Sequence, residues 1–234
     1  MKRQNLFLLV LLILISCVGK STEPEENENE TGTVRDIEGN VYQIIRIGNQ
    51  WWMAENLKVT KYRNGEWIIN VTGSTSWSAN SSTGAYCYYD NDYNNAKIYG
   101  NLYNWYAVND SRNIAPDGWH VPTDAEWQNL VDYLGGDTIA GGKMKSAGTI
   151  QDGDSLWHEP NEGATNESGF SALPGGGRVN NGAFDYKGYN GFWWSSTEYS
   201  SINVWDRKLD SNIPYVSRNK GNKQGGRSIR CIRD

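Results

Sequence analysis

Gly118-Trp119-His120-Val121-Pro122-Thr123-Asp124-Ala125-Glu126-Trp127, running on through Leu130, Val131 and Leu134 to Gly135-Gly136, is the stretch that decides the fold class. Thr123 and Glu126 have capping-box spacing: the threonine hydroxyl accepts from an early helical amide and the glutamate reaches back to the cap. Asp124 suits the positive end of a helix. Trp127, Leu130, Val131 and Leu134 fall at i, i+3, i+4 and i+7, so one face is buried, and Gly135-Gly136 ends the helix. A second helix is predicted over residues 97–108, where Leu102, Trp105, Tyr106 and Val108 form an imperfect stripe. Residues 33–36, 40–47 and 50–53, parted by Glu38-Gly39 and Gly48-Asn49, predict a three-stranded meander. Residues 192–196, 204–209 and 228–232 are the strand candidates of the C-terminal half. Residues 73–84 are rich in Ser, Thr and Asn and read as a loop. Gly175-Gly176-Gly177 lacks the Lys-Ser/Thr of a phosphate-cradling loop and reads as a turn. Two helices among short strands and long loops make the expected class α+β.

The chain has 11 Trp and 14 Tyr but only 4 Phe. Trp and Tyr combine a large apolar face with a polar tip, which suits a modest core and a wet aromatic surface. Most of these rings are expected in the core. Trp77, Tyr186, Tyr189, Trp205 and Tyr215 lie in polar or glycine-rich surroundings and are the candidate ligand-binding aromatics, since binding residues concentrate on loops. The formal charge is −5, and no basic face is available for nucleic acid. His120 and His158 are the only histidines. They read as structural, and with so few His and Cys no zinc site is expected.

The first residues carry a different message. Lys2 and Arg3 precede an apolar run over residues 6–15, too short for the roughly 20 residues a bilayer requires, which is the pattern of an export signal. It ends at Leu14-Ile15-Ser16-Cys17, which resembles the lipobox of bacterial lipoproteins. The resemblance implies acylation of Cys17 and anchoring to a membrane through that N-terminal lipid. Glu23, Glu25, Glu26, Glu28 and Glu30 make residues 18–31 an acidic, solvated tether, so the globular domain is expected over residues 32–234. Val18 is not the aspartate of some inner-membrane lipoproteins, which favours an outer-membrane or surface location. In such an oxidising compartment Cys87 and Cys231 are expected to pair, a long loop whose closure is worth about 4–5 kcal/mol in the chain-entropy model.

Six ordered segments carry a family resemblance: residues 47–57 around Trp51-Trp52-Met53-Ala54-Glu55-Asn56-Leu57, 99–105 around Gly100-Asn101-Leu102, 118–127, 166–176 around Asn166-Glu167-Ser168-Gly169-Phe170, Trp193-Trp194-Ser195-Ser196-Thr197, and Arg230-Cys231-Ile232-Arg233-Asp234. Together they resemble the Fibrobacter succinogenes major paralogous domain. That family is similar to formylglycine-generating enzymes and more distantly to C-type lectin-like domains, which implies two helices around small twisted antiparallel sheets with long loops. Three functions follow as expectations. The first is a non-enzymatic binding or adhesion module for a glycan or cell-surface protein. The second is a structural or assembly lipoprotein of the envelope. The third is an oxidase of the formylglycine-generating type, which needs a pair of C-terminal cysteines where this chain has only Cys231. Glu159-Pro160-Asn161 matches the triplet of calcium-dependent lectins and nominates Glu159 and Asn161 as calcium ligands, although the partner Trp-Asn-Asp motif is missing. Asp90, Asp92 and Asn94 are the residues for a structural calcium or a plain polar turn.

Overall fold

The computed structural model describes residues 30–234. The expected export segment, Cys17 and most of the expected tether lie outside the described residues. In chain order the elements are β1 (Thr31–Arg35), β2 (Val41–Ile47), β3 (Gln50–Met53), β4 (Ile69–Asn70), α1 (Ser74–Ala79), β5 (Ala85–Cys87), α2 (Tyr93–Tyr99), β6 (Leu102–Tyr103) and α3 (Trp105–Val108). They continue with β7 (Trp119–His120), α4 (Asp124–Tyr133), α5 (Asp137–Met144), β8 (Gly177–Arg178), β9 (Phe184–Asp185), β10 (Asn190–Glu198), β11 (Asn203–Asp210), β12 (Ile213–Asn222) and β13 (Ile232–Arg233). The class is mixed α+β, as the sequence predicts, with small sheets that are antiparallel apart from the β4–β5 pair.

The predicted meander is present as β1-β2-β3. β2 alternates buried and exposed residues over most of its length because only one face meets the core. The meander does not stand alone: β13 inserts between β3 and β7, pairing Ile232 with both Trp52 and His120, so the end of the chain closes a five-stranded sheet begun at its start. β1 opens at Thr31, and Arg46 binds Glu30 at 2.6 Å.

The helix at 123–134 forms as read. Thr123 accepts from Glu126 N, Glu126 returns to Thr123 N at 2.7 Å, and Gly135 and Gly136 donate back to Asp132 and Val131. Among the described residues there are five helices rather than two. The expected single helix over 97–108 is broken into α2, β6 and α3. Gly100 turns the chain at φ +78°, and a Cβ there would sit 2.8 Å from Leu57 O. The expected loop at 73–84 contains α1, which exists to bury Trp77. α5 has Gly141 and Gly142 inside it, and a Cβ at either would fall within 2.5 Å of the backbone at Tyr215 or Gly163. These glycines trade helix propensity for close approach, Gly141 to β12 and Gly142 to the loop at Gly163.

Trp52, Trp127, Phe170 and Trp193 form one aromatic knot, with Trp52 and Trp127 centroids 4.8 Å apart. Three cations lie wholly buried and are held by oxygens that carry no formal charge. Lys145 Nζ donates to Glu162 O, Asp210 O and Ile213 O. Arg178 donates to Val71 O, Thr72 O and Gly182 O. Arg230 donates to Asn56 Oδ1, Phe170 O and Ser171 O. Each fastens segments that have little regular structure of their own.

Cys87 and Cys231 do not pair. Both are free, buried thiols in different clusters, Cys87 beside Trp77 and Leu102 and Cys231 beside Met53 and Tyr42. The cysteine count suggested a bridge, but each thiol behaves as a small apolar core residue.

His120 fixes the chain end. Its Nδ1 meets Asp234 Oδ1 at 2.6 Å and its Nε2 meets Glu126 Oε1 at 3.0 Å. Burial opposes the imidazolium, but the two carboxylates outweigh it and raise its pKa. A raised folded pKa means stability present below the unfolded value of about 6.5 and lost as pH rises through the folded value. We expect His120→Gln to flatten the pH dependence of urea unfolding from about pH 6 upward, by under about 1 kcal/mol because the group is a third exposed. An unchanged profile would show the pair to be energetically silent.

Candidate functional site

The site begins at the β1–β2 turn. Asp36 organises it by accepting from Glu38 N, Asn40 N, Asn40 Nδ2 and the Tyr42 hydroxyl. Glu38 is thereby presented outward, where its carboxylate takes the amide and hydroxyl of Thr60. The opposite wall comes from residues 88–97. Asp90 and Asn91 are both left-handed, at φ 53° and 57°, and Asp92 caps α2 through Asn94 N. This reversal brings Tyr93 back onto Tyr88, edge to face with centroids 5.4 Å apart. Tyr86 packs on the far side of Tyr88 at 5.8 Å. Lys97 Nζ lies 5.1 Å over the Tyr93 ring and bonds Asn94 Oδ1.

Between these walls is a cleft of about 450 Å³ lined by Glu38, Asn40, Lys58, Thr60, Tyr88, Tyr93, Ala96, Lys97 and Asn101. Tyr93 is 60% exposed, the platform of the cleft. Burial, with the hydroxyl of Tyr86 beside it, pushes the Tyr88 phenol up to about 12. Asn101 is buried. Its amide nitrogen donates to Lys58 O and Val59 O, which fixes the side-chain orientation, while its Oδ1 has no partner. Such a buried acceptor ordinarily finds a donor from water or ligand. Volume, aromatic wall and a few convergent polar groups are the ordinary features of a small-ligand site.

A second cleft of about 480 Å³ is lined by Thr72, Ser74, Asn91, Arg178, Asn181, Gly182, Ala183 and Phe184. Asn91 Nδ2 donates to Thr72 O at its edge.

The aromatics singled out from the sequence do not gather in either cleft. Trp77 is buried. Its indole N–H donates to Gln224 O at 2.7 Å and Arg178 covers its ring, so it is core and not a surface platform. Tyr186, Tyr189 and Tyr215 are exposed, and Trp205 is half-buried. Each ring with a ring contact has a different neighbour: Tyr186 meets Phe192, Tyr189 stacks on His158 at 4.3 Å, and Trp205 meets Tyr199. Arg218 lies 3.3 Å over the Trp205 ring and denies that face to a ligand.

The two residues of the calcium triplet are not brought together. Asn161 is buried, its amide nitrogen spent on Ser146 O and Gly148 O, whereas Glu159 is exposed. One faces the interior and the other solvent, so they do not form a shared ligand set. Asp92 and Asn94 are occupied by the α2 cap and Lys97, which is the plain turn chemistry. Among the described residues no three His, Cys, Asp or Glu side chains converge on a point that could hold a metal.

Tyr88 and Tyr93, which build the cleft, carry the same sequence signal as Trp77, aromatic rings in polar surroundings, here around Asp90-Asn91-Asp92. Glu38, Lys58 and Asn101 gave no signal, because what makes them a site is convergence from three separate segments.

The fold and its cleft define a small α+β scaffold that presents long, well-fastened loops. The model of the Fibrobacter succinogenes major domain family matches residues 45–233, and the chain belongs to that family. No curated protein and no solved structure matches it.

Proposed function

We propose that this chain is a non-enzymatic binding module that is lipid-anchored in the cell envelope through Cys17, and that its tyrosine cleft takes a glycan. The observation that carries the reading is the cleft itself: two tyrosines wall a space of about 450 Å³ that polar and charged residues from three segments also line. Sugars offer C–H faces to stack on a ring such as Tyr93 and hydroxyls to meet Asn40 and Thr60. The use of loops on a fastened scaffold is the C-type-lectin-like aspect of the proposal. The thiols support a non-enzymatic role. Desolvation pushes Cys87 up to about 12 and raises Cys231 still further, the reverse of the depressed pKa a reactive cysteine requires.

The test is a glycan array with the full-length chain and with Tyr93→Ala. Specific binding that weakens about tenfold in the variant is expected, a loss of roughly 1.4 kcal/mol in line with one aromatic contact. Specific binding that is indifferent to Tyr93 would move the site elsewhere. Absence of binding to any glycan would transfer the cleft to a protein partner and favour a structural role in the envelope.

A further inference from the structure

We propose that the tyrosine cleft selects a glycan whose sugar carries a free amine, with the ammonium seated between the Glu38 carboxylate and the tyrosine wall. This rests on the cleft being a glycan site and adds the charge and the substituent of the sugar it takes.

Glu38 supplies the anion. Thr60 donates its amide to one Glu38 oxygen and its hydroxyl to the other. Neutral donors fix the direction of a carboxylate and leave its charge in place, and each oxygen keeps a further lone pair. Among the described residues no cation lies within ion-pair distance of it, and the side chain is exposed. The Tyr88 phenol, whose pKa burial raises above all, also feels the Glu38 charge, so the two lie near each other across the cleft. Tyrosine rings attract a cation to their faces, and the fold already uses that contact where Lys97 lies 5.1 Å over Tyr93. Asn101 also lines the cleft, is 1% exposed, and adds an unpartnered Oδ1, which is an acceptor.

The surrounding charges act in the same direction. On the wall of Glu38, Lys58 is paired with Glu55 at 3.0 Å and Arg35 is followed by Asp36, so Glu38 is one negative charge in excess. Lys61 does not line the cleft and lies over the Trp67 ring at 4.3 Å. On the opposite wall Lys97 donates to Asn94 Oδ1 along its own helix, and the turn that precedes this helix exposes Asp90 and Asp92, again one negative charge in excess. Lys187, which reaches Asn95 Oδ1 at 3.1 Å, is offset by Asp185. The whole chain is acidic as well, at −5. An ammonium enters this field favourably, a carboxylate or sulfate enters it against repulsion, and an N-acetyl group gains nothing from it.

The test is calorimetric titration of the full-length chain with tetrasaccharides of glucosamine, of N-acetylglucosamine and of glucose, at about pH 6, where an aliphatic amine is protonated. The expected result is affinity for the glucosamine oligomer at least about tenfold above the other two, as a charge-assisted hydrogen bond replaces a neutral one. The preference should shrink with added salt. Glu38→Gln keeps an acceptor for Thr60 and removes the charge, and it should cut the preference about tenfold, with urea unfolding reporting that the variant is folded. Asp90→Asn lies outside the cleft lining, at a left-handed position that asparagine adopts readily. It should weaken glucosamine binding about twofold at low salt and not at high salt. Equal affinities for the three oligomers, a preference for either uncharged one, or a preference that survives Glu38→Gln would overturn this inference while leaving the glycan reading standing. No binding of any oligomer would remove both.

Discussion

Replacing Asn56 by Ala is expected to bring the domain to the edge of unfolding. Asn56 is buried and uses its whole amide. Its Oδ1 accepts from Trp193 Nε1 and from Arg230 Nε, each at 2.9 Å, and its Nδ2 donates to Tyr99 O and Ser228 Oγ. Truncation leaves the Trp193 N–H and the Tyr99 carbonyl unpaired and strips one acceptor from a fully buried guanidinium. Each buried group left without its partner costs about 1–3 kcal/mol, and a charged one more, so together they take a large part of the roughly 5–15 kcal/mol that a domain has in total. Urea unfolding followed by tryptophan fluorescence reads it directly, since Trp193 stands at the site. A loss below about 1.5 kcal/mol would mean that water replaces the amide and that the knot is not a keystone.

Alkali is expected to be the domain's weak side, with loss of stability beginning near pH 9 and steepening above pH 10. Burial pushes the Cys87 thiol up to about 12 and carries Cys231 in the same direction. The phenols of Tyr42 and Tyr103, both fully buried, are likewise held well above the usual value, Tyr42 by burial and by the Asp36 carboxylate, Tyr103 by burial above all. A folded pKa above the unfolded one gives stability that is intact below the unfolded pKa and lost as pH rises toward the folded one. Unfolded thiols titrate near 8.5 and phenols near 10, and each such group contributes about 1.4 kcal/mol per pH unit. Lys145 works against this. Burial pulls it down to about 8, so the folded state sheds that proton first and gains stability from about pH 8 to 10.4. One lysine offsets about one thiol. The two phenols then dominate above pH 10. Denaturation midpoints measured from pH 7 to 11 check the shape, and Cys87→Ala with Cys231→Ala should delay the onset toward pH 10. A flat curve to pH 11 would contradict the buried, protonated state of these groups.

What could be read in the sequence was what neighbours along the chain decide. The capping box at Thr123 and Glu126, the meander from β1 to β3 and strands β10 and β11 all follow from local periodicity and turn chemistry. What stayed hidden was decided at a distance. β12 is polar along its edge and begins Ile213-Pro214, so nothing marks it as a strand until β11 pairs with it. α5 hides behind Gly141 and Gly142, whose value lies in what they approach. Trp77 looked exposed because its neighbours in sequence are serines, yet its real neighbours are Arg178 and Gln224. The family segments mislead in an instructive way. Asn56, Tyr99, Phe170, Trp193 and Arg230 come from five different segments and meet in one buried knot. They build the scaffold, and the cleft draws most of its lining from the stretches between them.

The three buried cations have a consequence for how such a protein can change. Their partners are almost all backbone carbonyls, and every amino acid brings one. Lys145, Arg178 and Arg230 thus grip the path of a loop and ignore its wording. Residues 72, 162, 210 and 213 can be rewritten in side chain without loosening the grip, provided the main chain keeps its course, whereas Phe170 and Gly182 are held by the aromatic knot and by the close approach of Ser74. A scaffold fastened in this manner separates the part that must stay the same, three charged side chains and Asn56, from the part free to diversify. One fold can then carry many different surfaces.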